Sequence, residues 1–97
     1  MKPVAAKPAP AKLQVTTVTA RVDVGFGNAL FIRGDGPGLS WEKGRPMECV
    51  WSDSWVTLLE DSTRPCTFKL LINDVTWSNG PDYTVAPGES VTLTPQF

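Results

Sequence analysis

The feature that most constrains this chain is a series of short β-branched segments, each followed closely by glycine, proline or asparagine. The clearest are residues 66–72, which read CTFKLLI, and residues 89–94, which read ESVTLT. Valine, isoleucine, threonine and phenylalanine favour strands, whereas glycine and proline favour the turns that separate them. No window shows a sustained helical period. The pattern therefore predicts an all-β protein.

The spacing of these segments also predicts an architecture. Seven to eight short strands, repeating about every 8–12 residues, are typical of an immunoglobulin-like antiparallel β-sandwich. A chain of 97 residues has room for one such domain and not for two. Residues 1–12 consist almost entirely of alanine, proline and lysine, which favours a flexible tail or linker. We therefore predict a tail over residues 1–12 and a β-sandwich binding domain over residues 13–97.

The distribution of charge weighs against nucleic acid as a partner. Residues 1–12 hold three lysines and no acid, whereas residues 13–97 hold six basic and ten acidic side chains. A domain with net negative charge repels phosphate backbones. No apolar run approaches the roughly 18 residues that cross a bilayer, so no membrane partner is expected. The N-terminus also lacks the apolar core of a signal peptide, which favours the cytoplasm without establishing a location.

Catalysis is not expected, because the chain has no histidine. Histidine is the commonest general base at neutral pH and completes the Ser-His and Cys-His catalytic arrangements. Two cysteines alone do not close a zinc site. Gly34 and Gly36 follow a strand but precede no helix start that would bind a phosphate. The sequence therefore predicts neither enzymatic activity nor a metal or cofactor.

The two cysteines, Cys49 and Cys66, leave two interpretations open. Both lie in apolar, strand-like surroundings, which favours buried thiols that pack as small hydrophobic side chains. A single disulfide between neighbouring strands is the alternative. A redox pair is not expected, because the chain contains no C-x-x-C spacing.

Four tryptophans in 97 residues are the strongest indication of a binding site. Trp55 begins an apolar strand and is predicted to lie in the core, and a core position is also favoured for Trp51. Trp41 lies in a glycine-rich loop among polar residues, and Trp77 ends the return arm of a hairpin. We expect these last two rings to be exposed, and an exposed indole commonly meets a partner.

A sugar is the partner that suits two exposed indoles with polar neighbours. The C–H face of a pyranose can lie against an indole ring, while its hydroxyl groups require charged or amide groups at the rim. Lys69, Asn79 and Asp82 can supply those groups. The predicted ligand-binding residues are therefore Trp41, Lys69, Trp77, Asn79 and Asp82.

The order of these segments resembles that of a known family. Similar segments occur in the starch-binding domains of amylolytic enzymes and in the glycogen-binding domain of the AMP-activated kinase β subunit. The resemblance covers residues 22–95 and rests on GLSWE at 38–42, WVTL at 55–58, FKLLI at 68–72, Trp77 and GPD at 80–82.

This resemblance implies a non-catalytic module that binds an α-glucan oligo- or polysaccharide. It further implies that Trp41 and Trp77 contact the sugar rings and that Lys69 donates hydrogen bonds to hydroxyl groups. Two positions depart from the family: Ser78 replaces the acidic residue that usually follows the second tryptophan, and Asp82 replaces an asparagine. Hydrogen bonding to glucose is therefore expected to differ.

The alternative function is that of an immunoglobulin-like protein-interaction or structural module that has lost the sugar site. Such a module would recruit its partner through an exposed edge strand. The tail over residues 1–12 offers a link to a further protein or domain under either function.

Overall fold

The computed structural model describes residues 14–97. These residues contain no helix, and therefore no helix that is long and apolar enough to cross a membrane. The predicted tail over residues 1–12 and the predicted domain start at residue 13 lie outside the described part of the chain. Nine strands are present in it: β1 Gln14–Ala20, β2 Leu30–Asp35, β3 Arg45–Pro46, β4 Glu48–Trp51, β5 Ser54–Ser62, β6 Cys66–Ile72, β7 Thr76–Trp77, β8 Tyr83–Val85 and β9 Ser90–Leu93.

The strands form two sheets that pack into a sandwich. One sheet has four strands in the order β4-β5-β1-β9; the other has the order β3-β2-β6-β7, with β8 paired to β6 as its fifth strand. The predicted all-β, immunoglobulin-like sandwich is confirmed. The described residues form nine strands rather than seven or eight, because β3 has only two residues and is too short for a pattern to reveal. In addition, β1 and β9 pair in parallel.

The core lies between the sheets and follows the alternation of side chains along each strand. Cys66, Phe68 and Leu70 of β6 are fully buried, as are Val18 and its neighbours of the same face on β1. Fully burying one large apolar side chain stabilises the fold by about 1.5–3 kcal/mol. Trp55 is 7% exposed and belongs to this core, as predicted.

The exposure of strand β4 corrects two expectations. This strand is an edge of the four-stranded sheet, and all four of its residues are exposed. The preference for a core position at Trp51 was wrong, because its side chain is 74% exposed. The prediction of a buried thiol is right for Cys66 and wrong for Cys49, which is exposed on the same strand, and both thiols are free.

The hairpin between β6 and β7 has a tight turn that matters for the site described below. Asn73 and Asp74 have φ angles of 54° and 58°, and the Val75 N–H donates to the Ile72 carbonyl at 3.0 Å. Positive φ at both central residues defines a type I′ turn, which matches the twist of a hairpin. The backbone N–H of Asn73 donates to the Ala29 carbonyl at 2.7 Å, so the turn is held against the loop that precedes β2.

Candidate functional site

The outer face of the five-stranded sheet, directed away from the four-stranded sheet, carries the predicted binding residues. Phe68 and Leu70 point into the core, so Lys69 and Leu71 point outward by the alternation of a strand. Arg33 of β2 lies opposite Lys69, and Trp77 of β7 lies opposite Leu71. Directly opposed residues place their side chains on the same face. The sheet therefore brings Arg33, Lys69 and Trp77 together.

Trp41 joins this face from the loop between β2 and β3. Its ring centroid lies 6.4 Å from that of Trp77, and the two ring planes are inclined by 26°. Stacked rings in face-to-face contact would be separated by about 3.5–4.0 Å, so these rings are offset. Trp41 is 40% exposed and Trp77 is 42% exposed. We call these two residues the tryptophan pair: each ring is exposed as the sequence predicted, and the two together form a half-exposed apolar surface.

Beneath the tryptophan pair, the outer face buries a side chain of its own. Leu71 is fully buried, yet it does not belong to the core cluster between the sheets. Its register partners are Trp77 on β7 and Phe31 on β2, which is partly buried. The outer face therefore carries an additional small packed layer.

Arg33 contacts both tryptophans and was not singled out from the sequence. Its Nη1 donates to the Trp41 carbonyl at 3.2 Å, and its Cζ lies 5.4 Å from the centroid of the Trp77 ring. Its Nε donates to Asp74 Oδ1 at 2.8 Å, and its Nη2 donates to the Asp74 carbonyl at 3.1 Å. The available signal was a charge directly after three apolar residues of β2, but its partners lie in distant segments of the chain.

Asp74 links Arg33 to the loop that carries Trp41. Its Oδ2 accepts a hydrogen bond from the Gly44 N–H at 3.1 Å. The hydrogen bond from Arg33 lowers the pKa of the Asp74 carboxyl; burial opposes this shift, and the Gly44 N–H and the charges of Arg33 and Lys43 add to it. A side chain at position 44 would overlap the Asp74 carboxylate and lie 3.0 Å from Phe31 Cβ, so this close approach requires glycine.

Lys69 lies beside the segment that follows the tryptophan pair. Its Nζ donates to the Gly80 carbonyl at 2.7 Å. An ammonium has three N–H donors, so two remain for a ligand. Asp82 directly precedes β8, whose Tyr83 pairs with Phe68 of β6. Asp82 is exposed.

Asn79 belongs to a short excursion between β7 and β8. Its backbone N–H donates to the Gln96 carbonyl at 2.7 Å, which holds the excursion against the C-terminal segment. The residue is exposed. Within residues 14–97, neither the Asn79 amide group nor the Asp82 carboxylate has a hydrogen-bond partner. Both groups are therefore available to a ligand.

Ser78, where the resemblance predicted an acidic residue, has a structural role inside the fold. The residue is 2% exposed. Its Oγ accepts a hydrogen bond from the Leu70 N–H at 3.3 Å, and its own N–H donates to the Leu70 carbonyl at 2.8 Å. The hydroxyl is used inside the fold and does not reach the outer face, so the group at position 78 is removed from the ligand surface.

The outer face that carries the tryptophan pair is open rather than a cavity. A concave pocket does occur elsewhere, lined by residues 23–28 together with Cys49, Ser52 and Trp55, and it includes none of the predicted ligand residues. Residues 14–97 also contain no group of three or more acidic, cysteine or histidine side chains that could hold a metal ion. The outer face offers two apolar rings and the Lys69 amine, and the exposed amide of Asn79 and carboxylate of Asp82 lie in the loop that follows β7. This combination suits recognition of a ligand with both apolar faces and hydroxyl groups.

Comparison with known proteins addresses the fold. No family model matches the sequence, and a search of curated proteins found no match. Among solved structures, the chain is similar to a Glycoside Hydrolase Family 15 glucoamylase from Hypocrea jecorina, with a TM-score of 0.74 and 17% sequence identity. The match covers 97% of this chain and 20% of that protein, so the chain spans about a fifth of its length. The likeness shows a shared fold for this domain.

Proposed function

We propose that this chain is a non-catalytic carbohydrate-binding module that binds an α-glucan of the starch or glycogen type. The observation that carries the proposal is the tryptophan pair, with rings offset at 6.4 Å and inclined by 26° on an open sheet face. Each ring presents an apolar surface to the C–H face of one glucose unit. An inclination between the ring planes would let the two rings follow a curved chain, as in an α-glucan, rather than a flat β-linked one.

Polar groups beside the rings supply the directional part of recognition. Lys69 retains two donors after its bond to Gly80, and Asp82 and Asn79 follow in the adjacent segment. Hydrogen bonds from charged groups to hydroxyls are stronger than neutral ones and fix the orientation of the ring. An ammonium donor and a carboxylate acceptor would bind complementary hydroxyl positions of one glucose unit.

The resemblance to starch- and glycogen-binding domains supports the same ligand. A structural neighbour is named as a glucoamylase, and this chain corresponds to a fifth of it, which supports a module rather than an enzyme. A glycoside hydrolase normally uses two carboxyl groups across the scissile bond. On this face the carboxylate of Asp74 is engaged by Arg33 and Gly44, so it is not free to act in such a pair.

The alternative, a protein-interaction module, is supported by strand β4. This edge strand presents Val50 and Trp51 at 46% and 74% exposure. An exposed edge of this kind can accept an added strand from a partner. The two functions use different surfaces, so a partner bound through β4 would leave the tryptophan pair accessible.

Isothermal titration of the protein with maltoheptaose and β-cyclodextrin tests the proposal, with cellohexaose as the matched β-linked control. We expect saturable binding of both α-linked ligands and much weaker binding of cellohexaose. No binding of either α-glucan at millimolar concentration would contradict the proposal. Equal binding of cellohexaose would retain a carbohydrate site but contradict the α-linked assignment.

A further inference from the structure

We propose that Arg33 is a positioning residue for the glucan site, which together with Asp74 fixes the relative placement of the Trp41 and Trp77 rings. This inference rests on the proposed function of the tryptophan pair. Arg33 acts through the rings rather than on the ligand, since its side chain is only 19% exposed.

Neither ring is held firmly by its own element. Trp41 belongs to the loop between β2 and β3, and Trp77 ends the two-residue strand β7. Loops and very short strands are the parts of a fold that open at the lowest free energy. Arg33, by contrast, lies on β2, which pairs with β6 on one side and β3 on the other. A residue on this inner strand can therefore act as a fixed reference for both rings.

The planar guanidinium of Arg33 can contact Asp74 and both tryptophans at the same time. Its three nitrogens donate in different directions, Nε and Nη2 to Asp74 and Nη1 to the Trp41 carbonyl, while Cζ lies over the Trp77 ring. Both partners of the ion pair are shielded, with side-chain exposures of 19% and 25%. Charge-assisted bonds and cation–π contacts are stronger when they are desolvated. A lysine has no planar fork and cannot make these contacts together.

Asp74 holds the other end of the loop that carries Trp41. Arg33 holds the carbonyl of Trp41, and Asp74 holds the N–H of Gly44. The Asp74 carboxylate is itself fixed by the type I′ turn after β6. One ion pair thus connects β2, the hairpin that carries Trp77 and the loop that carries Trp41. Fixing the rings before binding removes part of the entropic cost of ordering them.

The test compares Arg33→Gln, Arg33→Lys and Asp74→Asn with a matched control, Arg21→Gln. Arg21 forms an ion pair with Asp53 at 3.9 Å on an exposed part of the surface, with exposures of 57% and 58%. Two-dimensional NMR of the indole N–H groups reports ring placement without ligand, and titration with maltoheptaose reports affinity. Thermal unfolding of each variant separates these effects from a general loss of stability.

We expect the Trp41 and Trp77 indole signals to move in ligand-free Arg33→Gln and Asp74→Asn, while the Trp55 signal stays in place. Affinity should fall by about tenfold, the scale seen for residues that act without touching the ligand. Arg33→Lys should not restore either property, and Arg21→Gln should change neither. If Arg33→Gln fails to fold, Arg33→Lys decides the matter by the same two measurements.

Unchanged Trp41 and Trp77 signals in the folded Arg33 variants would overturn the inference, as would undiminished affinity with only a lower melting temperature. Failure of the proposed function has a different signature. In that case the wild-type protein binds no maltoheptaose, and the ligand-free indole spectra alone decide whether Arg33 positions the rings.

Discussion

The two outer faces of this sandwich differ in what they bury. On the four-stranded sheet, several outward residues of the paired strands β1, β5 and β9 are at least partly exposed: Thr17, Thr19, Val56, Leu58 and Thr92. On the five-stranded sheet, Leu71 is fully buried beneath the tryptophan pair and the Arg33–Asp74 ion pair is largely shielded. A sandwich is stabilised by the core between its sheets. The ordered layer outside that core lies on the face where we propose that the ligand binds.

The largest expected effect distinguishes the two faces by stability. Leu71→Ala should destabilise the fold by about 2–5 kcal/mol, the cost of truncating a buried leucine. Leu58→Ala removes the same atoms from the other face, where the side chain is 46% exposed, and should change stability by at most about 0.5 kcal/mol. Urea denaturation of both variants makes the comparison. Equal effects would mean that the outer layer is not packed as described.

A second prediction distinguishes the faces by binding. Trp77→Ala should weaken binding of β-cyclodextrin by about 2 kcal/mol, as expected of an aromatic residue at the centre of an interface. This corresponds to a loss of affinity of roughly 30-fold. Circular dichroism should show an intact fold, because the ring lies outside the main core. Leu58→Ala should bind normally. Retained affinity for β-cyclodextrin in Trp77→Ala would contradict the proposal that the ligand binds at this face.

Gly44→Ala tests how closely the Trp41 loop approaches Asp74. The added methyl group would overlap the carboxylate, so the variant should lose about 1–3 kcal/mol of stability, as for other overpacked sites. The same change in an Asp74→Ala background should cost less, because the overlapping group is gone. A double-mutant cycle measures this difference. Strict additivity of the two changes would contradict the close approach.

Lowering the pH should destabilise the packed layer on the outer face of the five-stranded sheet, because Asp74 becomes protonated. The pKa of Asp74 is lowered in the folded protein, chiefly by its hydrogen bond from Arg33, with the Gly44 N–H and nearby Lys43 contributing. Its contribution to stability is therefore complete above the unfolded value of about 3.9 and is lost as the pH falls through the lower folded value.

The measurement is the melting temperature between about pH 2 and pH 5. In Asp74→Asn, the melting temperature should decrease less as the pH is lowered than it does in the wild-type protein. Asp35→Asn is the comparison, because the pKa of Asp35 is also lowered, by Arg64, but at 58% exposure. Solvent screens an exposed pair, so its removal should flatten the profile less. The opposite ranking would mean that the Arg33–Asp74 pair is not the stronger of the two.

Local pattern was sufficient to predict much of the fold. The strand at residues 66–72 was predicted with the bounds it has, because β-branched residues and flanking turns act within a few positions. The exposure of Trp41 and Trp77 followed from polar and glycine-rich neighbours. Trp51 was misjudged because an edge strand and an inner strand have similar compositions. Only the order of the strands in the sheet shows which strand lies at an edge and has one unpaired side.

The organisation of the site depends on contacts between distant segments, which a single sequence does not reveal. Arg33 and Asp74 lie in different strands and turns, and nothing in either segment identifies the other as its partner. Ser78 reads as a polar surface residue, yet the register of β7 against β6 turns it inward. The sequence therefore predicted the exposure of Trp41 and Trp77 correctly but did not reveal the contacts between distant residues.

The most direct test follows the indole N–H signals of the wild-type protein during titration with maltoheptaose. Under the proposed function, Trp41 and Trp77 should shift together and saturate with one dissociation constant, because both rings would contact the same glucan chain. Trp55 should not respond, since it lies in the core. Trp41 and Trp77 signals that stay unchanged at millimolar maltoheptaose would contradict the assignment of the outer face as an α-glucan site.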